Sequence, residues 1–225
     1  MADRPLTTKQ RVKQVVLPAG RTVRRLPLGI GRGLRMGVDF QRGETRLFLG
    51  LYEIELNRHL RAIARPGYRS FDIGGQYGYD ALVLAKLTGA PVVSVEVDPQ
   101  LAAEIEENAA ANPGLPNVTV ETAFVGADDG DGRVTIDALA ERHFVPDLLK
   151  LDIEGGEVDA LRGASRVLRE RRPAILLEVH GREIEWDCLE ILRSAGYAPP
   201  TVVDPRRWLP EHRPIEHNRW LVLPG

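Results

Sequence analysis

Lys150, Asp152 and Glu154 recur at every second residue in a stretch that otherwise reads as a buried strand, LLKLDIE. Unpaired charge is expensive to bury, so three charges there need a purpose. Alternation at period two puts all three on one side. Charge at the carboxyl end of a parallel strand points to site chemistry or a ligand contact, and the two acids could take a proton or bind a divalent metal. His180 follows another apolar run, 174–179, and its near-neutral proton affinity suits a general base. Glu157 reads as a favourable charge in the first turn of the helix that follows.

A second constellation lies upstream. The run RSFDIGGQYGYD ends a short apolar stretch in Asp72, then carries Gly74, Gly75 and Gly78 ahead of an apolar helical run. A strand, a glycine turn and a helix start make a crevice that a nucleotide-like ligand can approach closely, with unpaired N–H groups at its edge. The next apolar run, VVSVEV, ends in Glu96 and Val97, about where such folds set a carboxylate on ribose hydroxyls. A dinucleotide fingerprint starting at Gly74 would need glycine at 76 and 79, where Gln76 and Tyr79 stand, which argues against a nicotinamide oxidoreductase.

The elements that must position these residues alternate along the chain. Strands are expected over 69–73, 92–97, 118–125, 148–153 and 174–179, with a final pair at 201–203 and 220–223. Helices are expected over 47–64, 78–88, 99–111, 137–143 (capped by Asp137), 157–169 and 184–195. Such alternation builds a parallel sheet with helices on both faces. The acidic loop 126–132 has no glutamate at the twelfth position of a calcium loop and reads as a turn, with Asp128 near an adenine. His59, His143, His212 and His217 show no metal spacing and read as surface residues. Trp208 and Trp220 are expected to pack the last strands, and Trp186 to floor an acceptor pocket.

Composition sets bounds. The 225 residues are 43% hydrophobic, enough for one α/β domain with an appendage. The single cysteine, Cys188, reads as a buried small hydrophobe and fits a reducing compartment. No apolar run approaches the ~20 residues of a membrane span, the N-terminus lacks a signal-peptide core, and a cytoplasmic location is expected. Net charge is −2, and nothing global points to nucleic acid. Residues 1–46 nonetheless hold eleven Lys or Arg against three acids, a net of +8, so the rest carries −10. This basic, proline- and glycine-containing segment, with a short helix expected over 8–17, is expected to be a loosely ordered extension. It would pack on a neighbouring subunit, cover the sheet, or touch an anionic membrane or protein partner. The catalytic domain would then be 47–225.

Two resemblances give these patterns a family. The spacing D-x-G-x-x-x-G from Asp72 to Gly78 resembles the first motif of class I S-adenosylmethionine-dependent methyltransferases. KLDIEGGE followed by VDAL closely resembles the hallmark Lys-Ile-Asp-Val-Glu-Gly-x-Glu of the FkbM methyltransferases. LYEIEL, FDIGGQYGYD, VVSVEVDP, VTIDAL and AILLEVH follow in that family's order, so the likeness spans roughly 47–182. It implies a Rossmann-like class I fold with a mostly parallel seven-stranded sheet. It also implies S-adenosylmethionine as cofactor and a hydroxyl acceptor on a sugar, glycan or natural product. The cofactor residues implied are Glu53, Asp72, Gly74, Gly75, Gln76, Gly78, Glu96, Val97 and Asp128. Gln76 departs from the family's shorter residue in the turn. Asp152 and Glu154 would face the methyl group, or hold magnesium, and His180 would take the proton. N- or C-methylation, a non-catalytic scaffold and a homo-oligomer stay open from sequence.

Overall fold

The computed structural model describes residues 20–204 and 219–225, so the helix expected over 8–17 and Trp208, His212 and His217 lie outside the described residues. The chain divides into two compact units, Met1–Ile54 and Glu55–Gly225.

The described part of the first unit is a β-hairpin, where the sequence pattern suggested a loose extension. Strand β1 (Thr22–Arg25) pairs antiparallel with β2 (Arg35–Val38). Leu26, Ile30, Leu34, Met36, Val38 and Phe40 of this segment are buried. The glycines that suggested a flexible loop instead form its tight connection: Gly33 N–H donates to Leu26 O and Leu26 N–H to Leu34 O, both at 2.8 Å. Helix α1 (Thr45–Phe48) follows. The helix expected over 47–64 is broken here. Gly50 has φ +67°, and a Cβ on it would stand 2.6 Å from the Gly29 nitrogen, so the chain must turn where the two glycines meet.

In the second unit, α2 (Asn57–Ile63) leads to β3 (Ser70–Ile73), α3 (Tyr79–Thr88), β4 (Val92–Glu96), α4 (Pro99–Ala110) and β5 (Val118–Thr122). After two short strands, β6 (Phe124–Val125) and β7 (Arg133–Val134), come α5 (Ile136–Arg142), β8 (Leu148–Leu151), α6 (Glu157–Arg162) and α7 (Ser165–Glu170). The chain ends with β9 (Ala174–Val179), α8 (Arg182–Ser194), β10 (Thr201–Val202) and β11 (Arg219–Leu223). Among the described residues seven strands form one sheet in the order β10-β11-β9-β8-β3-β4-β5. All neighbours are parallel except at β11, which runs antiparallel to both β9 and β10. Every residue of β3, β4, β8 and β9 is buried, as helices on both faces require. No helix among the described residues is long and apolar enough to cross a membrane.

Three local expectations are corrected by contacts distant in sequence. The strand expected over 118–125 divides at Ala123, whose N–H donates to Glu96 O while Phe124 leaves to pair with Arg133. The helix expected over 157–169 divides because Gly163 packs against Gly126: a Cβ there would lie 2.2 Å from its carbonyl oxygen. Thr135, not Asp137, caps α5. Asp137 instead accepts the backbone N–H groups of Arg166 and Val167, both at 2.9 Å, in the first turn of α7. Cys188 is buried as expected, and burial pushes its thiol up to about 12. Trp220 is buried in β11, whereas Trp186 is 68% exposed on α8.

Asp137→Ala should therefore destabilise the domain by about 1–2 kcal/mol, the cost of orphaned helix N-terminal donors, as read by urea unfolding. A change within experimental error would show that α7 does not need this cap.

Candidate active site

The sheet order reverses between β3 and β8, since the chain leaves β3 for β4 and leaves β8 for β9 on the other side. In open α/β sheets the crevice at the carboxyl ends of such a strand pair is where ligands bind. Of the residues picked out by type and spacing, Asp72, Gly74, Lys150 and Asp152 converge there. Gly74 begins the turn after β3 at φ +83°, and a Cβ on it would lie 1.9 Å from the Asp152 carbonyl oxygen. Only glycine lets the two strand ends touch. Gly75 and Gly78 are required by packing: a Cβ on Gly75 would lie 2.2 Å from Ser94 Oγ, and one on Gly78 2.8 Å from Ile105 Cγ2. The N–H groups of Gly74 and Gly75 both donate to Val95 O, at 2.9 and 3.1 Å, which binds the turn to β4.

Lys150 lies beneath this turn, 2% exposed. Its Nζ donates to Gly74 O at 2.9 Å and faces Asp72 Oδ1 at 3.2 Å, Asp80 Oδ2 at 3.5 Å and Asp152 Oδ2 at 3.9 Å. Asp72 is fully buried, with its other oxygen accepting Ser94 Oγ–H at 3.0 Å, so it shapes the turn from within. Three carboxylates around one ammonium leave excess negative charge. Burial pushes the Asp80 carboxyl up to about 6, against the pull of Lys150 and with the help of Asp72 and Asp152. Asp80 lies inside FDIGGQYGYD, but its sequence position gave no sign that it reaches Lys150.

On the β4 side, Glu96 is buried, accepting Gln76 N–H at 2.8 Å on Oε2 and Asp98 N–H at 3.0 Å on Oε1. Gln76 thus enters the site through its backbone, at φ +47°. Val97 next to it is 59% exposed, an apolar face at the crevice edge. Asp128 is exposed in the loop after β6, which its neighbour Asp129 secures by accepting Thr135 N–H at 2.7 Å. Glu53 belongs to the first unit, in a turn at φ +42°.

Beyond Asp152 the expected set changes. Strand β8 stops at Leu151, so alternation does not carry to Glu154, which is exposed in the following turn at φ +33°. Glu157, assigned from sequence to a first-turn charge, does open α6, but it is fully buried. Its Oε1 accepts Gly155 N–H at 3.1 Å and is hydrogen-bonded to His180 Nδ1. The other ring nitrogen, Nε2, stands 3.7 Å from Asp152 Oδ1 and 3.6 Å from Glu178 Oε2. Burial pulls the His180 proton affinity down, but the Glu157 hydrogen bond and the charges of Glu178, Glu157 and Asp152 outweigh it, so the net shift is upward. Glu178 was missed from sequence. The signal was present: an acid in the apolar run AILLEV, two residues before His180. His143 is also more than a surface residue, since its Nε2 lies 2.7 Å from Glu121 Oε1.

Comparisons with known proteins bear on the fold and on part of the chain. Residues 132–199 match the family model described as the methyltransferase FkbM domain. No curated protein sequence matches the chain. A methyltransferase FkbM structure from Methylobacillus flagellatus is similar, with TM-score 0.56 and 19% identity over 74% of this chain; the match spans 50% of that longer protein. A tRNA (uracil-54, C5)-methyltransferase from Pyrococcus abyssi, solved with S-adenosyl-L-homocysteine, gives TM-score 0.57 and 14% identity over 90% of this chain and 44% of its own. A precorrin-6y C5,15-methyltransferase from Geobacter metallireducens gives 0.51 and 16% over 74% and 88%. At these identities the structural likenesses establish the Rossmann-like fold.

Asp80 binds its proton more tightly in the folded chain than at the ordinary value of 3.8. Its contribution to stability is therefore full below about 4 and is lost as pH rises through about 6. Asp80→Asn does not titrate, so its stability relative to the parent should climb by at most about 3 kcal/mol between pH 4 and 7. Urea unfolding across that range measures this, and a pH-independent difference would contradict it.

Proposed function

We propose that this chain is a methyltransferase of the FkbM family that moves the methyl group of S-adenosylmethionine to a hydroxyl oxygen on a sugar, glycan or other small molecule. The observation that carries the reading is the junction at the switch point: a glycine turn pressed on the Asp152 carbonyl, with Glu96 at the end of the next strand.

The residues fit the cofactor. Gly74 and Gly75 let the turn pack on Asp152 and Ser94, which sets its backbone at the carboxyl end of the strand pair. Glu96 uses one lone pair of each oxygen on the protein's own N–H groups and keeps others for ribose hydroxyls. Val97 offers an apolar contact, and Asp128 lies in the loop the family resemblance sets near adenine. The negative excess around Lys150 favours a cationic ligand. When bound, S-adenosylmethionine supplies an electrophilic methyl group on a sulfonium.

The chain's own part is alignment and removal of one proton. Holding two reactants in line contributes several kcal/mol to lowering the barrier. The acceptor hydroxyl is activated at the corner of Asp152, Glu178 and His180, which lies directly beyond the glycine turn. Glu157 orients the imidazole there and leaves Nε2 facing the acceptor side. Hydroxyl chemistry is favoured over N- or C-methylation by this corner, because a hydroxyl must lose a proton to become a nucleophile.

Calorimetric titration with S-adenosylmethionine and, separately, NADH tests the cofactor. Micromolar binding of the former alone is expected, lost in Glu96→Ala. Asp152→Asn should keep cofactor affinity within a few-fold while lowering transfer to the best of a panel of hydroxylated acceptors by about 10²–10⁴-fold. Folded protein that binds no S-adenosylmethionine, or methyl found on nitrogen or carbon in the product, would overturn the reading.

A further inference from the structure

The corner that activates the acceptor has the geometry of a cation site. Asp152, Glu178 and His180 each present one ligand-type atom, all within 4.8 Å of one another. The two distances from His180 Nε2, 3.7 and 3.6 Å, exceed the ~2.7–3.2 Å of an N–H···O hydrogen bond. They approach the spacing of atoms that share an ion. Two donors each about 2.1 Å from a metal, at angles of 90–120°, stand roughly 3.0–3.6 Å apart.

Three further observations point the same way. Nε2 is buried and makes no hydrogen bond, while the side chains of Asp152 and Glu178 are each more than nine-tenths buried. The buried ring nitrogen is thus aimed between two buried carboxylates without hydrogen-bonding either. Nδ1 is held by Glu157, itself fully buried and steadied by Gly155 N–H. A metal-ligating histidine characteristically gives its second nitrogen to a carboxylate in this way, which fixes tautomer and ring orientation. Finally, Asp152 faces both Lys150 and His180, so this corner adjoins the cluster of Asp72, Asp80 and Asp152 around Lys150.

We propose that Asp152, Glu178 and His180 hold a divalent transition-metal cation of the Mn²⁺ or Zn²⁺ class, on which the acceptor hydroxyl sits. Glu154, exposed, is not in the set. An imidazole with two carboxylates favours these ions over magnesium, which prefers oxygen ligands and water. A hydroxyl bound to such an ion gives up its proton more easily, and the proton leaves to solvent. The acceptor's place on the ion rests on the O-methylation reading; binding of the ion itself does not.

The test is titration of the purified full chain with Mn²⁺, following free ion by electron paramagnetic resonance, with S-adenosylmethionine titrated separately into the same samples. One saturable Mn²⁺ per chain, displaced by Zn²⁺, is expected. Glu178→Gln and His180→Ala should weaken it by more than about 100-fold. Glu157→Gln, which leaves all three ligands in place, should weaken it by about 10–100-fold. Circular dichroism and S-adenosylmethionine affinity should be unchanged in all three variants. Absence of saturable Mn²⁺ or Zn²⁺ binding by protein that still binds S-adenosylmethionine would overturn the ion site, as would unchanged binding in Glu178→Gln. Mn²⁺ binding without S-adenosylmethionine binding would uphold the ion site while removing the methyl-transfer reading.

Discussion

One buried ammonium organises the site. Lys150 sits in the middle of the sheet on β8, directly across the ladder from Asp72 on β3. Burying a lysine costs several kcal/mol unless it is paired and hydrogen-bonded. Its partners come from three places: Asp72 within β3, Asp80 in the first turn of α3 and Asp152 just past β8. A fourth contact, to the carbonyl of Gly74, fixes the turn itself. The ammonium therefore ties the strand, the turn and the helix start on one side of the switch point to the strand end on the other. This tie adds to the β3–β8 ladder and to the hydrogen bond from Asp152 N–H to Ile73 O in holding Gly74 against the Asp152 carbonyl.

The same arrangement sets the electrostatics of the crevice. One positive charge does not balance three carboxylates, and Asp152 passes the surplus on to the His180 corner, where Glu157 and Glu178 add to it. Burial raises the proton affinity of Asp80, with Asp72 and Asp152 adding to it, while that of His180 rises against its burial because Glu157, Glu178 and Asp152 outweigh it. A cationic sulfonium beside the turn and a divalent ion at the corner would each offset the surplus. The charge that makes this region costly to bury would thus favour cationic ligands.

How much of this was legible in the sequence depends on the range of the interaction concerned. Asp72, the glycines, Glu96, Lys150, Asp152 and His180 were visible because charge or glycine interrupted short apolar runs at strand ends. The strand–helix alternation around them gave the fold class for the same local reason. What stayed hidden was set by contacts remote in sequence. Glu154 was grouped with Asp152 by alternation, yet β8 ends at Leu151 and the turn sends Glu154 to solvent. Glu157 was assigned as a helix-dipole charge because its partner His180 is 23 residues away. The long helix over 47–64 failed because Gly50 meets Gly29, and Asp137 caps a helix 29 residues downstream rather than its own. Periodicity reports which face a residue occupies, not where an element stops or what arrives from elsewhere.

The claim that Lys150 holds the site together is tested most directly by Lys150→Met, with unfolding free energies measured in urea from pH 5 to 8. Removing the ammonium leaves carboxylates buried without their cation, a loss of about 3–5 kcal/mol when they are ionised. Because the acids can take up protons instead, the account predicts a penalty that is small near pH 5 and grows steeply toward pH 8. A small loss that is the same at every pH would contradict it, and would mean that the turn and the strand ends hold their places without the lysine.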